Sequence, residues 1–271
     1  MKKSVLLTGL CVVMLLLTGC GNNSDAGKTT NEPTDVLPTE AFESPIPTNE
    51  QSVDPESLYA EVLDKYYNNI INSWESYKEN GVLSMLPEDV CFLFPMYMDD
   101  PSYLDKVGYC FVDLDDNGVP ELLIGMNEDV FSENEVYKNE IYDIYTYDDG
   151  EIIHLASSAE RCFYKLCEDN TIYSYGSSGA ASLDYQHLKL DKNGTELSTI
   201  QDIHSSPDNN YEKVLWYLAT EAWYDSETGE VFNDKLTEIT KDEADGIIAG
   251  WPDIATLNLT MFSSYTPQSS N

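Results

Sequence analysis

Residues 109–124 read Tyr109-Cys110-Phe111-Val112-Asp113-Leu114-Asp115-Asp116-Asn117-Gly118-Val119-Pro120-Glu121-Leu122-Leu123-Ile124. The segments on both sides of the acidic stretch are rich in aromatic and aliphatic residues, which favour strands. We predict strands at 109–113 and 121–126. The acidic stretch is therefore predicted to be the loop of a strand-loop-strand unit.

The loop carries the pattern of a calcium site. Oxygen-bearing side chains occupy loop positions 1, 3, 5 and 9, namely Asp113, Asp115, Asn117 and Glu121. Ca²⁺ takes six to eight oxygen ligands, and Gly118 at position 6 suits the sharp bend of such a loop. The spacing predicts three direct ligands from the first three side chains and closure of the shell by the glutamate. The backbone carbonyl of Val119 is expected to add an oxygen, and the role of the ion to be structural.

The loop differs from an EF-hand, whose bidentate glutamate stands at position 12, because that position is Ile124. In its strand-like flanks the loop resembles the D-x-D-x-[DN]-G loops of FG-GAP-type repeats, although the chain has no repeated blades. The alternative is an acidic turn whose side chains serve only the backbone. Repulsion among the three candidate ligand carboxylates, which lie within nine residues, favours the cation.

Further short runs rich in Tyr, Ile, Leu and Val follow the loop. They predict strands at 141–147, 151–156, 162–167, 171–175, 183–190 and 196–200. Hairpin residues separate several of these strands, at 148–150, 168–170 and 192–194. The sheet is therefore expected to be largely antiparallel.

Three segments predict helices. Asp54-Pro55-Glu56 starts the first, whose apolar residues recur at helical spacing as Leu58, Val62, Tyr66, Ile70, Trp74 and Tyr77. The second spans 211–223, and a capping box at residues 240–243 opens the third. We predict an α+β fold with a curved, largely antiparallel sheet, flanked by an N-terminal helix and C-terminal helices. It forms a single domain over 57–263, followed by a polar tail over 264–271.

The N-terminus has the pattern of an exported lipoprotein. Lys2 and Lys3 precede a mostly apolar run that is shorter than the roughly 20 residues of a membrane span, so residues 1–19 are predicted to be a signal peptide. Leu17-Thr18-Gly19-Cys20 is typical of the lipobox, whose cysteine takes a diacylglycerol before cleavage. We expect lipid on Cys20 and a location on the extracytoplasmic face of the cell membrane. An ordinary secretory signal with a chance cysteine is the alternative.

Residues 20–56 are predicted to consist of the lipidated cysteine and an acidic tether rich in proline and threonine. The segment has too few apolar residues to build a core, so we expect it to be disordered. A flexible coil of this length has a root-mean-square reach of roughly 30–36 Å.

The charge of the chain restricts its partners. Loss of residues 1–19 removes Lys2 and Lys3 but no acid, which leaves 12 basic and 49 acidic residues and a net charge of −37. Nucleic acid is excluded as a partner, and anionic lipid head groups repel the domain. Contact with the membrane is therefore expected through the lipid anchor alone. A glycan or a protein is the expected ligand, and the chain is expected to be monomeric.

Four cysteines remain in the predicted domain: Cys91, Cys110, Cys162 and Cys167. The last two lie five residues apart on one predicted strand, about 16 Å from each other, which prevents a bond between them. Buried free thiols are favoured over a bond between Cys91 and Cys110.

The order of these motifs is similar to that of lipoproteins from Gram-positive anaerobes that have no assigned reaction. The similarity rests on the lipobox, the tether, the acidic loop, the Tyr-rich hairpins and the late segments Phe232-Asn233 and Ile239-Thr240-Lys241-Asp242-Glu243. It implies a surface location and an ion but no activity. We expect a non-enzymatic binding module, and the alternative is an extracellular hydrolase acting on wall or dietary polymer.

Other candidate sites receive less support from the sequence. His187 is predicted to be an exposed strand residue, and Gly176-Ser177-Ser178-Gly179 to be a hairpin connection rather than a nucleophile loop. Six tyrosines have two possible roles: they form an aromatic platform for a ligand, or they pack in the core. They are Tyr142, Tyr145, Tyr147, Tyr173, Tyr175 and Tyr185.

Overall fold

One open, curved sheet dominates the computed structural model, which describes residues 54–80, 101–127, 138–159, 161–221 and 232–268. Within these ranges the sheet has 11 strands, and each strand pair that the structure describes is antiparallel. A few helices pack against it. The fold is therefore α+β with a curved antiparallel sheet, as the sequence predicts.

The strands follow one another along the chain with short connections. Their bounds are β1 Val107–Val112, β2 Glu121–Met126, β3 Glu140–Asp148, β4 Glu151–Ser157, β5 Cys162–Leu166, β6 Ile172–Gly179, β7 Ser182–Leu190, β8 Leu197–Pro207, β9 Val214–Ala219, β10 Thr237–Ile239 and β11 Thr260–Met261. In space the order is β10-β9-β8-β7-β6-β5-β3-β2-β1-β11, and β4 pairs with β3 outside this path. The predicted strands are confirmed as a meander in which most sequence neighbours pair.

The N-terminal helix is confirmed with a break at Tyr59. The Asp54 side chain caps the short helix α1, Pro55–Leu58, and α2 then spans Ala60–Asn80. Their apolar face packs on one face of the sheet, in a cluster that includes Tyr59, Leu63, Tyr66, Ile70, Val107, Tyr109, Leu122, Ile124 and Phe262. No helix in the described ranges has both the length and the apolar character that a membrane span requires.

The C-terminal helix α3 spans Lys241–Ile248 and has the predicted capping box. The Thr240 hydroxyl accepts a hydrogen bond from the Glu243 N–H, and the Glu243 carboxylate accepts one from the Thr240 N–H. Ala244 of α3 is buried with Trp216 of β9 and Ile203 of β8. This helix therefore covers the end of the sheet remote from α2.

The predicted helix over residues 211–223 is wrong. Its central residues form β9, which pairs with β8 on one side and with β10 on the other. Side chains on both faces of β9 are apolar, so the alternation of a strand is masked and the run imitates helical spacing. Two neighbouring strands supply backbone partners, and this pairing overrides the local pattern.

The predicted hairpin connection at 176–179 is also wrong. These residues form the end of β6, and the register continues to the pair Gly179 and Ser182, with an irregularity after Ser177.

The C-terminal segment contributes to the core. Tyr265 is only 4% exposed, and its hydroxyl donates to Asp64 of α2. The core thus includes a residue of the segment assigned to the polar tail.

Candidate metal centre

The acidic loop connects two strands that pair along their whole length. The register of β1 and β2 ends at Val112 opposite Glu121, so the eight residues from Asp113 to Pro120 form the connection. Two of them have left-handed backbone conformations, Asp116 with φ 60° and Gly118 with φ 87°. Glycine adopts such a conformation without strain, as the sequence pattern requires.

The first aspartate organises the loop. The Asp113 carboxylate accepts hydrogen bonds from the Asn117 N–H at 3.1 Å and from the Gly118 N–H at 2.9 Å. The Asp115 carboxylate accepts from the Asn117 N–H at 3.2 Å and from the Asn117 side-chain amide at 3.0 Å. The backbone therefore wraps around the two carboxylates and holds their oxygens on its inner side.

Glu121 enters the site from the first position of β2. Its side chain is fully buried. One carboxylate oxygen accepts from the Leu114 N–H at 2.8 Å, and the other accepts from the Thr146 hydroxyl at 3.1 Å. Burial raises the pKa of Glu121 to about 7, although these two hydrogen bonds act in the opposite direction. The neighbouring Asp115 charge adds to the rise.

Three predicted ligands meet in this arrangement. Asp113, Asp115 and Glu121 each place one carboxylate oxygen within 4.8 Å of the others, a group that is able to hold a metal ion. Two full negative charges about 5 Å apart repel each other by roughly 3 kcal/mol at an effective dielectric constant of about 20. A cation bound between the carboxylates would offset this repulsion. This part of the predicted site is therefore present in the fold.

The other predicted site residues are not part of this carboxylate group. The Asn117 side-chain oxygen accepts a 2.6 Å hydrogen bond from the Val119 N–H, so it serves the loop backbone. Ligation by Asn117 and by the Val119 carbonyl remains a prediction. Cys20, the predicted lipid attachment site, lies outside the described residues.

Two other turns touch the loop, and no local sequence pattern predicts either contact. The Asn170 side-chain amide, from the β5–β6 turn, donates to the Asp113 carbonyl at 3.1 Å. Gly194, in the β7–β8 turn, faces Asp115, and a Cβ added at Gly194 would lie 3.2 Å from Oδ2 of Asp115. Residues distant in sequence thus surround the carboxylates.

The remaining candidates from the sequence are structural where the chain is described. His187 is buried at 8% exposure and not exposed as predicted, because its Nε2 hydrogen-bonds the Thr171 hydroxyl and its ring packs near Trp251. Cys110 and Cys167 carry free thiols, and Cys91 lies outside the described residues.

The six tyrosines do not form one platform. Tyr142 and Tyr145 are buried in the core beneath α1 and α2. Tyr185 packs in a separate core cluster beneath α3, and Tyr175 contacts it edge to face with ring centroids 5.1 Å apart. The hairpin tyrosines therefore belong to separate parts of the molecule.

Comparison with protein-family models, with curated proteins and with solved structures gives no match for this chain.

Proposed function

We propose that this protein is a lipid-anchored, extracytoplasmic binding module whose fold is stabilised by Ca²⁺ in the loop between β1 and β2. The observation that carries the proposal is the convergence of Asp113, Asp115 and the buried Glu121 within 4.8 Å. Burial of a charged carboxylate beside two others costs desolvation energy and adds repulsion, and a bound divalent cation offsets both.

The donor set favours calcium among the metals. It consists of carboxylate oxygens and includes neither thiolate nor imidazole. The same loop also carries the amide oxygen of Asn117 and the backbone carbonyl of Val119, the two further ligands that the sequence predicts. Such oxygen donors suit Ca²⁺, Mg²⁺ and Mn²⁺. Mg²⁺ demands near-ideal octahedral geometry and retains waters, whereas Ca²⁺ accepts the irregular shell that a flexible acidic loop provides.

The proposed role of the ion is structural. Calcium sites of extracellular modules bind with dissociation constants of roughly 10⁻⁴ to 10⁻³ M. At a free concentration ten times the dissociation constant, the ion stabilises the folded state by roughly 1.4 kcal/mol. The contacts of the loop with Asn170 and Gly194 imply that this stabilisation extends to the turns on either side.

Titration of Ca²⁺ into the metal-stripped chain tests the metal site. We expect one saturable event and a raised melting temperature for the wild type, and neither for Asp115→Asn. Asp116→Asn is the matched control, since it removes the same charge from an exposed neighbour and keeps a residue type that tolerates the left-handed conformation. Mg²⁺ at the same concentration should give a smaller shift. Equal calcium responses in the two variants would contradict the proposal.

The lipid anchor is tested separately. The lipobox and the absence of acid before Cys20 support export and acylation of that cysteine. In a Gram-positive host, the wild type should be found in the membrane fraction and incorporate labelled palmitate. Cys20→Ser should be released into the medium without label. Retention of the variant in the membrane would show that another segment anchors the chain.

A further inference from the structure

A second candidate site lies on the face of the sheet that α1 and α2 cover. A cleft of about 590 Å³ opens between the first helical turns and the hairpin of β3 and β4. The helices contribute Ser57, Glu61 and Lys65 to its lining, and the hairpin contributes Tyr147, Glu151 and His154. This volume is typical of clefts that hold small molecules, which range from about 300 to 1,000 Å³.

The position of His154 depends on a bulge in β4. Ile144 pairs with Ala156, but Tyr145 pairs with His154, so Leu155 is an extra residue in the ladder. In a regular ladder, Tyr145 would face Leu155 and His154 would point to the opposite face. The bulge thus places an imidazole, in place of an aliphatic side chain, on the face that carries the cleft.

A buried carboxylate holds this imidazole in one orientation. Asp143 is fully buried, and its Oδ1 accepts from His154 Nε2 at 2.7 Å and from the Ser157 hydroxyl at 2.6 Å. The ring also stacks on Tyr145, with centroids 4.7 Å apart. In the neutral imidazole the Nε2 proton points to Asp143, which leaves Nδ1 as a hydrogen-bond acceptor.

The other edge of the imidazole is available to a ligand. No residue in the described part of the chain hydrogen-bonds Nδ1 of His154, and the side chain is 24% exposed. Glu61 and Glu151 add carboxylate acceptors to the lining, and Lys65 adds a donor that pairs with Glu61 at 3.3 Å. The cleft thus combines fixed acceptors, donors and the partly buried ring of Tyr147.

We propose that this cleft binds a neutral sugar of one or two rings, one hydroxyl of which donates to Nδ1 of His154. Sugar hydroxyls both donate and accept, which matches the mixed lining, and a sugar face packs on an aromatic ring. An anion is disfavoured because the whole chain carries a formal charge of −35. Asp143 acts as a positioning residue. The inference rests on the proposed binding function and names its ligand class.

The test is a titration of four disaccharides into the full chain, namely maltose, cellobiose, xylobiose and N,N′-diacetylchitobiose. The chain is purified in detergent and kept in about 5 mM calcium, roughly ten times a sub-millimolar dissociation constant. We expect saturable binding of at least one disaccharide. His154→Phe, which keeps a ring on Tyr145, should weaken it by roughly tenfold, the loss of about one hydrogen bond. Glu151→Ala, at an exposed position of the hairpin, should weaken it without loss of folding.

His204 provides the matched control. It also pairs with an aspartate, through Nδ1 to Asp184, but it does not line the cleft. His204→Phe should leave sugar binding unchanged. Nitrogen NMR supplies a readout that a purely structural histidine would not give, since the Nδ1 resonance of His154 should move when the sugar binds.

Each outcome bears on the inference. No binding of any of the four sugars, or equal binding by wild type and His154→Phe, overturns it. Binding of spermidine or of a peptide in place of the sugars also overturns it, because the ligand class is then wrong. Melting with and without calcium, measured on the same samples, reports the metal site independently, so failure of the sugar proposal and failure of the calcium proposal are distinguished.

Discussion

Gly194 and Asp115 face each other across two turns that are far apart in the sequence, and a Cβ at Gly194 would lie 3.2 Å from the Asp115 carboxylate oxygen. Gly194 has φ +70°, and the turn around it is closed by Asp191, whose carboxylate accepts from the Thr195 and Glu196 N–H groups. The β7–β8 turn therefore packs against the acidic loop as a preformed unit. Its glycine is needed for backbone conformation and for space.

Gly194→Ala should lower both stability and calcium affinity. Alanine in a left-handed conformation costs roughly 1–2 kcal/mol, and the new Cβ would push the Asp115 carboxylate away from its neighbours. Gly150→Ala is the control, because Gly150 has φ +96° and, among the described residues, none except its chain neighbours comes within 4 Å of an added Cβ. Chemical denaturation should show a loss for both variants, whereas calcium titration should show weaker binding only for Gly194→Ala. Unchanged affinity would mean that the turn does not act on the loop.

Glu121→Gln should separate the fold from the ion. A glutamine at this position can still accept from the Leu114 N–H and can donate to the Thr146 hydroxyl, so the hydrogen bonds persist without the buried charge. At pH 8 the metal-free variant is expected to be at least as stable as the metal-free wild type. Its melting temperature should no longer rise with calcium. A variant that unfolds in the absence of metal would show that the charge itself supports the fold.

The sequence predicts the acidic loop well because its signals are local. Spacing, strand-like flanks and the glycine lie within 16 residues of one another, and the structure brings Asp113, Asp115 and Glu121 together. Asn170 and Gly194 could not be predicted as neighbours of the loop, because their contacts depend on how the meander folds back. The same holds for the pair of His154 and Asp143, which depends on a bulge that no local pattern marks.

The errors in secondary structure have a related cause. The run from Val214 to Ala219 is apolar on both faces, so helical spacing and strand alternation fit it equally well. Its pairing with β8 and β10 is a long-range property that decides between them. The prediction of an exposed His187 is wrong because the burial of this histidine depends on Trp251, a residue of a segment that packs back onto the sheet.

Tyr265→Phe should destabilise the domain. The Tyr265 hydroxyl donates to Asp64 at 2.7 Å in a buried setting, and a hydrogen bond to a charged group contributes about 1.5–3 kcal/mol. Tyr211→Phe removes the same atom from a side chain that is 84% exposed, and it should change stability by less than about 0.5 kcal/mol. Urea denaturation of both variants measures the difference. Equal effects would show that the C-terminal contact does not contribute to folding.

His187 should make the domain sensitive to acid. Burial lowers the pKa of His187, an effect that the nearby Asp169 charge only partly opposes. Below about pH 6.5 the unfolded chain therefore binds a proton more readily than the native state, so His187 reduces stability as the pH falls. His187→Gln can still donate to Thr171 but does not titrate. Between pH 7 and pH 5 the free energy of unfolding should fall more steeply for the wild type than for this variant. Parallel curves would show that the native state accommodates a charged His187 without cost.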